Sequence, residues 1–269
     1  MLPVNPRRLA LDCLVEADLQ RKLDLTTAAN AIIVSSTDWV NAPDDPAIVA
    51  IAAPGRPAAP QLVAPNQLIQ RKLNTSTGRA ALIHAVAHIE FNAINLAWDA
   101  VYRFPGMPED YYRDWASVAA DEARHFQMLT RRLAELGHVY GDFPAHDGLW
   151  QMAVDTADDV MVRMALVPRV LEARGLDVTP GMIERMRRVG DVETIAVLEV
   201  ILHEEIRHVA IGSRWFADTC RRRGISPSET FVNLLQAHAV SLRLPFNVAA
   251  RLNAGFDQVE LDRLVALAR

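Results

Sequence analysis

Two stretches of this chain place a glutamate three residues before a histidine, each time behind a second acid: Asp121-Glu122-Ala123-Arg124-His125 and Glu204-Glu205-Ile206-Arg207-His208. On a helix, positions i and i+3 share a face, so Glu122 with His125, and Glu205 with His208, can each grip one metal ion from a single helix. One Glu-x-x-His arises by chance in many Glu-rich helices; two copies on separate apolar stripes are far more specific. The stripe around Glu122 holds Trp115, Val118, Leu129 and Leu133, and that around Glu205 holds Leu198, Leu202, Val209 and Gly212. Upstream of each pair stands a lone glutamate. Glu90 lies 32 residues before Glu122 on the face of Ile83, Val86, Ala87, Ala93, Ile94 and Ala97, and Glu172 lies 33 residues before Glu205 near Ala165, Leu166 and Leu171. The chain reads as a duplicated helical hairpin, each half giving one Glu and then one Glu-x-x-His.

The charge balance agrees with metal binding. Four inward carboxylates offset two divalent cations, whereas burying them without a counter-charge would be prohibitively costly. Oxygen and imidazole ligands suit iron or manganese better than thiolate-seeking metals. Pro168, four residues before Glu172, kinks the helix there and leaves the facing of Glu172 the least determined. The same kink could open a substrate pocket beside the metals.

The elements that must carry these residues are helical. From Asn74 the spacing predicts segments over 75–103, 108–137, 147–174 (ending at Gly175) and from Thr179-Pro180 to Gly224, the last with a break at Gly190-Asp191. Segments of up to ~30 residues, or ~45 Å, suit a long four-helix bundle. Ser226-Pro227-Ser228-Glu229 has the form of a capping box opening a further helix, and 257–267 predicts a short terminal one. The fold class is therefore all-α, with three regions: 1–73, an N-terminal helix (about Pro6 to Leu23) and a Pro/Ala-rich arm; 74–224, the bundle; and 225–269, C-terminal helices packed on it. Within 42–65 the prolines forbid a continuous helix. The apolar Ile48, Val49 and Ile51 favour an arm laid on a core over a solvated tether.

Composition narrows the class of function. The net charge of −5 and pI near 5.9 argue against a broad nucleic-acid-binding face. Cys13 and Cys220 are too few for a disulfide framework and form no CxxC, which fits a reducing compartment. No apolar run approaches the ~18 residues needed to cross a bilayer, and no secretory h-region opens the chain. The expectation is a soluble, cytoplasmic protein with no membrane partner.

Other spacings lead elsewhere. His84 and His88 flank the Glu90 face rather than share it. His203 and His208 are five apart, not the four that a zinc-protease HExxH needs. Arg221-Arg222-Arg223, at a helix C-terminus, complements the dipole there more readily than it contacts RNA.

On DEARH and HEEIRH, and over about 74–224, the chain resembles the ferritin-like superfamily, and most of all a bacterial ferritin-like family catalogued as domain of unknown function 455. It is more distantly similar to the di-iron tRNA hydroxylases, whose third-helix Glu-Ala-Arg-Gly is matched by Glu172-Ala173-Arg174-Gly175. The resemblance implies a ferritin-like four-helix bundle and a site of two Fe ions, with Mn as the other candidate, held by Glu90, Glu122, His125, Glu172, Glu205 and His208. In related enzymes an acid before the ligand Glu orients a ligand histidine through its second nitrogen. Asp121 and Glu204 stand at that position; the alternative is that they are surface acids paired with Arg124 and Arg207. No catalytic residue beyond the ligands is assigned.

The expected function is a di-iron oxidoreductase that activates O₂ to hydroxylate or oxidise an organic substrate. With no reductant-binding motif in the chain, a separate electron-donor protein is needed. A tRNA base is a substrate the resemblance admits and the acidic balance disfavours; a homodimer is compatible with the sequence. The alternative is a metal-handling or peroxide-scavenging protein of the ferroxidase or manganese-catalase kind.

Overall fold

The computed structural model describes residues 5–36 and 45–268, so 42–44 of the proline-rich stretch lie outside it. The described residues form helices and no β-strand; one isolated parallel bridge pairs Leu62 with Ala145. The chain divides into two compact units, Met1–Asp155 and Thr156–Arg269, and the division falls inside the 74–224 stretch.

The first unit holds α1 (Pro6–Val15), α2 (Leu19–Ser35), α3 (Ser76–Arg103), α4 (Glu109–Glu135) and α5 (Gly148–Asp155). Its axis is the α3–α4 hairpin, with α1 packed on α3 and α2 on α4. Thr75 starts α3 by accepting the Gly78 N–H, and Phe104-Pro105-Gly106 ends it. α3 is buried over nearly its whole length from Ala80. It is long and apolar enough to cross a membrane by length and composition, but 78% of its apolar window is buried inside the fold, which makes it a core helix.

The single N-terminal helix expected over 6–23 is two. Asp18 accepts the Arg21 N–H as the N-cap of α2, and the chain turns at Glu16. The carbonyls that α1 leaves open at its end are taken by Lys22 of α2. Its ammonium sits 2.7 Å from Cys13 O, 3.3 Å from Leu14 O and 2.7 Å from Asn95 Oδ1 on α3, three acceptors for three donors. Burial lowers the Lys22 pKa to about 8, leaving it charged at neutral pH.

The proline-rich stretch does lie on the helices, though not for the reason the apolar residues suggested. Ile48 and Val49 are about half exposed. The backbone is what is held: Arg7 donates to Pro46 O, Tyr102 to Ala47 O, Trp150 to Ala52 O, and the Val49 N–H donates to Tyr102 Oη. At Gly55 the arm donates to Leu14 O, and a Cβ there would lie 2.3 Å from Glu16 O, so only glycine permits the approach.

The second unit holds α6 (Val160–Leu166), a π-helical turn (Val167–Glu172), α7 (Ala173–Arg188), α8 (Val192–Arg222), α9 (Pro227–Ala237), α10 (Val248–Asn253) and α11 (Gln258–Leu267). Three expectations need correction here. The segment expected over 147–174 is broken at Thr156–Asp159, where Asp159 caps α6 and pairs with Arg223. Gly175 does not end a helix, and Thr179-Pro180 does not start one: α7 runs through both. Pro180 cannot donate to Leu176 O, but the Asn247 side-chain amide does so at 3.2 Å, which satisfies the carbonyl that proline leaves open inside a helix. The break expected at Gly190-Asp191 is present, with Gly190 at φ 71° and Asp191 capping α8 through the Thr194 N–H. Ser226 and Asp257 cap α9 and α11 as their sequence positions suggest.

Candidate metal centre

In the first unit, Glu90 comes from the middle of α3 and Glu122 and His125 from one face of α4. That face is buried as the stripe predicts, with Trp115, Val118, Leu129 and Leu133 all enclosed. Glu122 and His125 are fully buried and Glu90 is 4% exposed. One ligand atom from each of the three lies within 4.8 Å of the others. The meeting point is His125 Nδ1, 3.1 Å from Glu90 Oε2 and 3.4 Å from Glu122 Oε2.

Electrostatics in this pocket are dominated by burial. Loss of solvent raises the Glu90 carboxyl well above the usual range; the Glu122 charge adds to the rise and the His125 hydrogen bond opposes it. For His125 burial acts downward, but hydrogen bonds to Glu122 and Glu90, and their charges, outweigh it and carry the imidazole to about 11. Two carboxylates thus concentrate their potential on one nitrogen in a water-poor interior. A divalent cation placed among these atoms would take over the role that a proton on Nδ1 plays, and the hard oxygen and imidazole donors are those iron and manganese accept. The donor set fits a metal ion.

The second unit repeats half of this arrangement on α8. His208 Nδ1 lies 3.3 Å from Glu205 Oε1, with His208 fully buried and Glu205 9% exposed. Leu198, Val209 and Gly212 of the stripe are buried and Leu202 is half-buried. Glu172, half-buried, closes the π turn that begins beside Pro168, so the proline does disturb the helix where its position foretold.

Of the neighbouring acids, Asp121 accepts from Arg124 at 3.1 Å on its own helix; Glu204 is half-buried and Arg207 exposed on α8. His84 and His88 hold a loop. The Gly141 N–H donates to His84 Nε2 at 2.9 Å, while the His88 ring bonds Tyr140 Oη and His146 O. Burial lowers both histidines to about 4, so they are neutral at physiological pH.

Arg169 belongs to no local sequence motif. Its guanidinium is buried in the π turn, 2.6 Å from Glu260 and within 4.3 to 4.9 Å of the ring centres of Phe216, Phe231 and Phe256. Its partners are 47 to 91 residues away along the chain, so no local pattern announces them.

The sequence profile of a family described as "Protein of unknown function (DUF455)" matches residues 15–262. A protein of Haemophilus influenzae (strain ATCC 51907 / DSM 11121 / KW20 / Rd), recorded as "Uncharacterized protein", is 44% identical over 214 residues, covering 77% of this chain and 74% of that one. No solved structure matches.

Proposed function

The chain belongs to the DUF455 family, and we propose that it is a di-iron oxidoreductase of ferritin-like architecture that uses O₂ to hydroxylate or oxidise an organic substrate. The observation that carries this reading is the buried Glu90–His125–Glu122 cluster, in which two carboxylates converge on one imidazole nitrogen. The sequence repeats that ligand chemistry in Glu172, Glu205 and His208, which supports two ions per chain rather than one.

In this reading Glu90, Glu122 and His125 hold one ion and Glu172, Glu205 and His208 the other. Bound there, the metals would supply the electron-transfer chemistry by which O₂ is reduced; in a hydroxylation one oxygen atom would enter a C–H bond of the substrate and the other leave as water, with two electrons from a separate donor protein and two protons from solvent. The chain's own part is to hold the carboxylates and imidazoles fixed, with Glu122, His125 and His208 fully shielded from bulk water. Manganese satisfies the same donor types, so the metal is decided by measurement. With a net charge of −5, a tRNA base is not the favoured substrate.

Anaerobically iron-loaded protein, mixed with O₂ and a chemical reductant, should consume O₂ in repeated turnovers that stop in the Glu122→Ala variant. Rapid disproportionation of hydrogen peroxide without reductant, and no reductant-dependent O₂ uptake, would instead place the chain with peroxide-scavenging proteins.

A further inference from the structure

The π turn at 167–172 carries Glu172, and several side chains elsewhere in the second unit fix where it lies. Pro168 packs its ring onto α8 at Gly212, where an added Cβ would stand 2.2 Å from Pro168 Cγ. Arg169, the next residue, is 3% exposed and passes into a cage of Phe216 on α8, Phe231 on α9 and Phe256 before α11, with its charge met by Glu260 of α11. Just beyond the turn, Asp177 on α7 receives Arg251 of α10 at 2.7 Å, and Arg251 in turn stacks over Phe246. Thus α9, α10 and α11 all reach the turn or the helix it feeds.

A π turn adds a residue to the helical repeat, so it re-aims every side chain that follows, and such turns persist only where the surroundings hold them. A buried guanidinium is a strong hold. Relaxing the turn to α-helical register would draw Arg169 away from Glu260 and leave two buried charges uncompensated. We propose that the C-terminal helices are a clamp that sets the position of the Glu172 carboxylate, with Arg169, Glu260 and Gly212 as its positioning residues. This rests on the reading of Glu172 as a metal ligand.

Cobalt(II), titrated anaerobically into the full-length chain, reports both affinity and ligand geometry through its visible absorption bands. Glu172→Ala should weaken one of two ions. Gly212→Ala, and the paired replacement Arg169→Met with Glu260→Leu, should keep the helical circular dichroism yet weaken that same ion at least tenfold and shift its bands, leaving the other ion unchanged. The paired replacement removes both charges together, which buried pairs tolerate far better than loss of one. Should either variant fail to fold, Phe256→Leu, which thins one cage wall without exposing charge, decides in its place. If Glu172→Ala binds both ions as wild type does, the ligand assignment is wrong. If Glu172→Ala loses an ion while the clamp variants bind and absorb like wild type, the clamp is overturned and the ligand assignment stands.

Discussion

Glu90 stands in the middle of a 28-residue α-helix, whereas Glu172 closes a six-residue π turn behind a proline. In the first unit, the register of α3 and α4 is enough to bring Glu90 onto Glu122 and His125, because both helices are regular and each buries its ligand face. In the second unit, α8 presents Glu205 and His208 in the same regular way, but the second carboxylate, Glu172, sits at the end of a turn packed against Gly212 and, through Arg169, against the C-terminal helices. On the proposed assignment, one ligand set would be fixed by helix periodicity and the other by long-range packing. The second should therefore be the more sensitive to substitutions that touch no ligand.

Truncating ligands should give the largest effects. His125→Ala and His208→Ala should each cost one metal equivalent, with affinity at that position falling by more than the roughly 10–100-fold that loss of an outer partner costs; isothermal titration with Fe²⁺ or Mn²⁺ under anaerobic conditions measures this. Equal and complete retention of both ions in either variant would break the pairing of one ligand set with one ion.

Next comes Arg169→Met, which leaves Glu260 buried without its counter-charge. Breaking such a pair costs about 3–5 kcal/mol, so denaturant melts should show a large loss of stability alongside the loss of metal. No ligand is altered, and no comparable substitution remote from Glu90 should disturb the first set.

A pH effect separates the units further. His84 has a folded pKa near 4, lowered by burial and only partly restored by Asp142, against about 6.5 in an unfolded chain. Between those values the unfolded state binds the extra proton, so this group's contribution to stability is full above about pH 6.5 and is lost as pH falls toward 4. Its protonation also places a hydrogen where the Gly141 N–H donates. The difference in stability between wild type and His84→Gln, followed from pH 7 to 4.5, should shrink steadily with acidification. A difference that stays constant would show that His84 does not titrate in this window.

The smallest expected effect is at a cap. Thr75→Ala removes the acceptor for the Gly78 N–H at the start of α3 and should cost about 1 kcal/mol, with metal content unchanged.

Much of this was legible in the sequence because helix ends and ligand spacings are local. Thr75, Asp191, Ser226 and Asp257 cap helices where their residue types suggest, and the apolar stripe around Glu122 is buried as its spacing requires. The rest failed where a distant residue changed the local rule. Pro180 reads as a helix start until Asn247 takes the carbonyl it frees, and the turn at Asp18 is completed by Lys22 together with Asn95, 73 residues from it. The sequence could mark Pro168 as a disturbance, but not that Arg169 would be caged by three phenylalanines from separate segments.

In the proposed centre each ligand set holds one ion. Elemental analysis of protein loaded anaerobically with iron and freed of excess metal tests it most directly, run beside Glu205→Ala. Two equivalents per chain are expected in the wild type and one in the variant; well under one equivalent in the wild type, or the same content in both proteins, would rule out one ion per ligand set.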